Sequence, residues 1–264
     1  MHKFISFNQQ IISPENASIG AMSVAGLYGK SIFTTLAIND FKPFLWEKHW
    51  ARLSNNAKKL AIDLTPFSER AVTAALDETL FVNKAKNARA RITFFDETAS
   101  EIWNFPAPRR TSLLITTADA RKNLENLRLA VSPFRANSMS PLVNIKSGNY
   151  SEKILAFDEA RKRGFDEAVQ INERGEIVSA CLANIFWLKN EKLFTPSLKT
   201  GCLAGTTREF LLENQRCAEV EASLTVLQEA DAIFLTSAGL KIAQAAEFDG
   251  RFFDCREQKL TQII

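Results

Sequence analysis

The apolar positions of this chain change period several times, and each change marks an element. Residues 4–7 and 10–12 alternate around a short polar break and predict a small hairpin. Residues 31–38 form a run of β-branched and aromatic side chains. Asn39 and Asp40 supply a turn, and residues 42–45 predict the returning strand. From position 49 to 62 the spacing opens to that of a helix, with Trp50, Leu53, Ala57, Leu60 and Ala61 on its apolar side, and Thr65-Pro66 stops it. Residues 68–80 predict a second helix with Ala71, Val72, Ala74 and Ala75 turned inward. Residues 88–95 and 112–117 predict two further strands. This half reads as an antiparallel sheet covered by helices.

Residues 118–127 are polar and carry no period, which predicts a linker. It would divide an N-terminal α+β domain (1–118) from a larger C-terminal domain (125–264). Residues 129–133 predict a strand. Residues 150–163 predict a helix on Ile154, Leu155, Phe157 and Ala160, closed by Gly164. Short strands follow at 168–172, 177–179, 185–189 and 193–195, then a helix at 206–215 and a last buried strand at 232–236. No internal repeat or low-complexity segment interrupts the pattern.

Composition narrows the function classes. With 264 residues, 46% of them hydrophobic and 24% charged, the chain has material for a substantial core. The net charge of +3 is scattered and makes no basic stripe for nucleic acid. Cys181, Cys202, Cys217 and Cys255 form no C-x-x-C pair, and His2 and His49 are the only histidines, so no metal site is expected. Unclustered cysteines predict reduced thiols. No apolar run approaches the ~20 residues of a membrane span, and no signal core follows Met1-His2-Lys3. Together these point to a cytoplasmic globular protein, with a mild charge compatible with anionic small substrates.

Four short segments carry candidate chemistry. Lys146 follows the largely apolar approach Leu142-Val143-Asn144-Ile145 and precedes the small Ser147 and Gly148. Such a setting can desolvate an amine and let a ligand lie against backbone. Gly205-Thr206-Thr207-Arg208 opens a helix, where N–H groups and the helix dipole favour an anion. Arg52, among apolar neighbours, offers a fork to a carboxylate or phosphate. Thr236-Ser237 ends a buried strand in hydroxyls.

In order and spacing these segments resemble the class IV aminotransferase family, the fold type IV pyridoxal phosphate enzymes. The resemblance runs through Gly29 to Thr35, His49-Trp50-Ala51-Arg52-Leu53, Lys146 to Tyr150, Asp166-Glu167-Ala168, Asn184-Ile185-Phe186, Thr195-Pro196 and Gly205 to Arg208. It implies two α+β domains with the cofactor between them, a barrel-like mixed sheet in the second, and a homodimer. It also implies pyridoxal 5'-phosphate carried by Lys146, which would shuttle the proton. Arg52, Thr206 and Thr207 would hold the phosphate, and Thr236 or Ser237 would close the cup. Tyr150 would stand near the cofactor's ring oxygen, and Phe33 and Thr35 at a small amino substrate.

The departures are as telling. The family usually has a glutamate five residues before the asparagine of Asn-Ile-Phe, paired with the pyridine nitrogen; here that position is Ser179. Phe95-Asp96-Glu97 stands where many members have Arg-Gly, Lys30 replaces an aspartate, and Ala204 replaces a proline. Arg89 and Arg91 lie earlier on the same strand. Phe33-Thr34-Thr35, the segment around Asn184, and Val220 to Leu224 resemble a lyase branch of the family more than its transaminases. A serine weakens the electron sink, which disfavours transamination more than elimination. An aminotransferase of branched-chain or D-amino acids and a non-catalytic cofactor-binding member are the alternatives.

Overall fold

The computed structural model describes residues 1–100, 103–104, 108–121 and 126–255. Its backbone divides into two units: Met1–Arg121 with Ile145–Asn149, and Lys122–Asn144 with Tyr150–Ile264. Of the predicted linker, residues 118 and 119 belong to a strand, and 122–125 lie outside the described residues.

The first unit runs β1 (Ile5–Phe7), β2 (Gln10–Ile12), α1 (Val24–Tyr28), β3 (Ser31–Asn39), β4 (Lys42–Pro43), α2 (Trp46–Leu60), α3 (Glu69–Val82), β5 (Ala88–Asp96) and β6 (Thr111–Asp119). The strands make one antiparallel sheet in the order β2-β1-β6-β5-β3-β4. Side chains alternate between faces along a strand. The register therefore gathers Ile32, Leu36, Ala90, Ile92, Phe94, Leu113 and Ile115, all buried, on one face. On that side α2 packs on β3 and α3 on β6. Each such aliphatic side chain contributes roughly 1.5–3 kcal/mol through burial. Two expected core positions are corrected. Ala74 is exposed while Leu76, Thr79 and Leu80 are buried on α3, and Ala61 is exposed just beyond α2 with φ 50°.

The second unit runs β7 (Leu127–Val131), α4 (Ser151–Lys162), β8 (Glu167–Ile171), β9 (Ile177–Ala180), β10 (Asn184–Lys189), β11 (Lys192–Pro196), α5 (Thr206–Asn214), β12 (Cys217–Val220), α6 (Thr225–Gln228), β13 (Ala232–Ser237), β14 (Lys241–Phe248) and β15 (Arg251–Phe252). Its sheet is mixed, in the order β12-β11-β10-β13-β14-β7-β8-β9, with β15 added on β14. The pairs β11–β12, β14–β7 and β7–β8 are parallel. Both faces are covered, which is why β8 is buried at every position. One face packs Leu129, Val169, Ile171, Ile185, Ile233 and Leu235 together. On the other, Ala168 and Cys181 meet Ala156 and Ala160 of α4. The buried side of α4 is not the one the apolar spacing predicts: Ile154 and Leu155 are exposed, and Ala156 and Ala160 point inward.

Among the described residues no helix is long and apolar enough to cross a membrane. The four cysteines are free thiols, with Cys181 and Cys202 buried.

Candidate active site

In the first unit the segment Ile145–Asn149 lies along the edge of β3. The Phe33 N–H donates to the Lys146 carbonyl at 2.9 Å, the Gly148 N–H donates to the Ser31 carbonyl at 2.8 Å, and Ser147 bridges to Ile32. A Cβ at 148 would press on the Ser31 hydroxyl and crowd the Gly29 carbonyl, so glycine lets this segment lie close against β3. The lysine is thus fixed through its backbone, leaving the side chain to function. Its Nζ lies 4.5 Å from the centre of the Phe33 ring, and the Arg91 guanidinium lies 3.7 Å from the same centre. The two distances bound the separation of these groups at about 8 Å. Thr35 pairs with Arg91 and Phe33 with Thr93, so all four side chains share the sheet face opposite α2 and α3. Phe33, Thr35 and Lys146 are therefore brought together as expected. Arg91, earlier on its strand than the arginine many members have, joins them.

Behind this face, Thr34 links two residues of α2. Arg52 Nη2 donates to Thr34 Oγ1 at 2.7 Å, and Thr34 Oγ1 lies 2.6 Å from His49 Nδ1. Burial, then the Arg52 and Lys146 cations, push the His49 imidazole down to about 3. A neutral ring accepts the Thr34 proton at Nδ1 and keeps its own hydrogen on Nε2, an assignment that follows from the network. His49 thus buttresses Thr34 while adding no charge beside two cations.

A pH dependence follows from the sign of that shift. Below pH ~6.5 the unfolded chain binds a proton on His49 that the native protein refuses until pH falls to about 3. This contribution to stability is whole above ~6.5 and is lost as pH falls across that window, by about 1.4 kcal/mol per unit. Urea unfolding of wild type and His49→Gln at pH 6.5 and 5 should show the steeper loss in wild type; equal slopes would mean the histidine is not held neutral.

Two departures from the family pattern meet in one contact. Lys30 Nζ stands 2.9 Å from Asp96 Oδ2, and the aspartate is almost fully buried. Burial raises the Asp96 carboxyl, but hydrogen bonds from Thr98 and Lys30 outweigh it and hold the group below the usual carboxylate range. Read singly, each substitution looks like a loss; in the fold they form an ion pair that closes the end of β5 onto the turn before β3.

In the second unit α5 begins at Gly205, which caps it without a side chain. A Cβ there would press on the Asn184 side-chain amide, which would have to shift. Asn184 Nδ2 donates to the Leu203 carbonyl at 2.8 Å and so clamps the turn that leads into the helix. Thr206 and Thr207, in the first turn, are buried. Asn184 is paired with Thr236 across β10 and β13, and α5 packs on β13. Thr236 is buried, and among the described residues its hydroxyl has no hydrogen-bond partner. Ser237 differs: its Oγ accepts the Leu240 N–H at 3.1 Å within the turn to β14. Ser179 is buried on β9 opposite Gln170. Tyr150 stands at the N-cap of α4.

The first unit thus carries a lysine beside β3, and the second a helix N-terminus near a buried hydroxyl. The sequence profile of the amino-transferase class IV family matches residues 31–248, and the chain belongs to that family. Its members are pyridoxal phosphate-dependent aminotransferases or lyases. The chain is 27% identical to aminodeoxychorismate lyase of Bacillus subtilis over 247 residues, covering 90% of this chain and 84% of that one. It is 25% identical to the branched-chain-amino-acid aminotransferase of Escherichia coli over 264 residues, covering 94% and 85%. A crystal structure of the Escherichia coli branched-chain aminotransferase superposes with a TM-score of 0.91 at 26% identity, over 99% of this chain and 92% of that one. The fold is the two-domain α+β fold of class IV aminotransferases.

Proposed function

We propose that this protein is a pyridoxal phosphate-dependent lyase that releases pyruvate from 4-amino-4-deoxychorismate and leaves 4-aminobenzoate, a step of folate synthesis. The observation that carries the reading is Ser179: a neutral hydroxyl, buried at 4% exposure, where the family usually has a glutamate. Its cellular setting on this reading is a homodimer in the cytoplasm.

The residues fit the cofactor. A phosphate dianion would give the buried Thr236 hydroxyl the acceptor it lacks and would meet the α5 N-terminus at Thr206 and Thr207. Thr236 is favoured over Ser237 because its hydroxyl is buried and, among the described residues, has no hydrogen-bond partner. Arg52 would add a charged contact, Lys146 would carry the cofactor covalently, and Tyr150 would face the ring oxygen. When bound, the cofactor supplies an electron sink for the negative charge left on the substrate after a proton is removed.

In the reaction, Lys146 Nζ takes the hydrogen from the ring carbon that bears the amino group. The electron pair left behind forms a ring double bond and expels enolpyruvate, which gains a proton to become pyruvate. Aromatisation drives this step, so charge is held only briefly and a strong sink is unnecessary. Transamination needs the charge to persist until a proton returns to the cofactor. Arg91, within about 8 Å of Lys146 Nζ, is the cation placed for a substrate carboxylate. Phe33 and Thr35, on the same face, would border the ring.

The second reading, a branched-chain or D-amino-acid aminotransferase, draws on the similarity to the Escherichia coli enzyme. One experiment separates the two. Holoenzyme supplied with 4-amino-4-deoxychorismate should yield 4-aminobenzoate and pyruvate in equal amounts, with the cofactor unchanged. Conversion of the cofactor to its amine form by leucine or D-alanine, with no 4-aminobenzoate formed, would replace the lyase by a transaminase.

A further inference from the structure

A set of buried polar side chains in the second unit is not explained by the phosphate cup. Gln170 on β8 and Ser179 on β9 are directly opposed in the antiparallel ladder, and each is 4% exposed. Opposed residues project from the same face of a sheet, with Cβ atoms ~4.5–5.5 Å apart. That face belongs to α4, because Ala168 and Cys181, two residues along each strand, pack on Ala156 and Ala160. Lys153 lies one turn before Ala156, and its Nζ donates to Gln170 Oε1 at 3.2 Å.

The surroundings of Lys153 make this contact specific. Glu152 and Glu167 are the acidic groups near it. Glu167 already accepts the N–H groups of Leu182 at 3.0 Å, Cys181 at 3.1 Å and Ala168 at 3.3 Å. The neighbouring thiols stay protonated, since burial pushes Cys181 up to about 12 and raises Cys202 as well. Burial in turn pulls the Lys153 ammonium below the ordinary lysine range. The lysine therefore meets an amide where an ion pair would be usual. An ammonium has donors only, so it holds the oxygen end of Gln170 and turns the NH2 end away.

We propose that Lys153 is a positioning residue that fixes the polarity of Ser179 through Gln170. With its oxygen held by Lys153, the Gln170 NH2 group would be the donor turned to the opposed Ser179 when a heteroaromatic ring is bound, and the serine proton would be left to donate to an unprotonated ring nitrogen. Lys153, Gln170 and Ser179 act as one unit in place of the family's single carboxylate. The positive charge behind the pair works in the same direction, against a proton on the ring. This rests on the reading that Ser179 meets the ring nitrogen of pyridoxal phosphate. It gives that reading a cause: the weak sink is built, not merely the loss of a glutamate.

The test is the ring-nitrogen NMR signal of 15N-labelled pyridoxal phosphate bound to the full chain. Wild type should give the signal of an unprotonated, hydrogen-bonded nitrogen that does not titrate between pH 6 and 8. Lys153→Met and Gln170→Leu should each shift it toward the protonated position, and Lys153→Arg, which keeps a donor cation, should restore the wild-type signal. Thermal melting checks that each variant is folded; if Lys153→Met does not hold cofactor, Gln170→Leu and Lys153→Arg decide the matter. A protonated signal in wild type overturns the proposal. So does a shift in Ser179→Ala with none in Lys153→Met or Gln170→Leu, an outcome that leaves Ser179 at the nitrogen. A signal that Ser179→Ala does not move removes Ser179 from the ring, and the proposal falls with that reading.

Discussion

Lys146→Ala should lose the visible absorbance of the bound cofactor and nearly all turnover. On the proposed function the nucleophilic amine is also the base, so removing it should cost at least the ~10²–10⁴-fold typical of one proton-transfer group. The variant should fold, because the contacts that fix this segment are made by the backbone of Lys146 and Gly148 and not by the lysine side chain. The checks are the absorption spectrum of the reconstituted variant and its rate of 4-aminobenzoate release. A variant that still binds the cofactor covalently would show that the lysine is misassigned.

Arg52→Ala should weaken cofactor binding by about 2–5 kcal/mol, the cost of truncating one partner of a buried charged contact. That is roughly 30- to 4,000-fold in Kd. The arginine also donates to Thr34, which in turn lies against His49, so part of the loss comes from a Thr34 that is no longer held. Equilibrium titration of apoenzyme with pyridoxal phosphate measures the change. Unchanged affinity would take Arg52 out of the phosphate contacts.

The long strands were legible in the sequence because one of their faces is continuously apolar. β3, β5 and β6 bury every second residue against helices, and their β-branched runs announce it. β14 was not legible: Lys241–Phe248 is built on alanines, which have no strand preference, and its first residue has φ 58°. Its pairing with β13 and β7 holds it in place, and that is tertiary information. The helix α4 shows a different limit. Periodicity counts Ile154 and Leu155 as core and Lys153 as surface, whereas packing buries the small Ala156 and Ala160 and brings Lys153 to Gln170.

The site divides in the same way. Lys146, Arg52 and the Thr206-Thr207 helix start are candidates that local chemistry and order along the chain suggest. Arg91 could not, since its value depends on Phe33 lying beneath it from another strand. The preference for Thr236 over Ser237 depends on which hydroxyl the fold buries without a partner. Lys30 and Asp96, which read as two unrelated departures, are a single ion pair. Each of these is a relation between residues far apart in sequence, and a window of sequence does not contain it.

Lys153 is also the serious rival for the cofactor. Burial lowers its pKa from the ordinary lysine range, while Gln170 holds its ammonium. The decisive measurement is borohydride reduction of the holoenzyme followed by peptide mass mapping. The cofactor should be found on Lys146 alone. Its appearance on Lys153, or on any other lysine, would contradict the account at its centre.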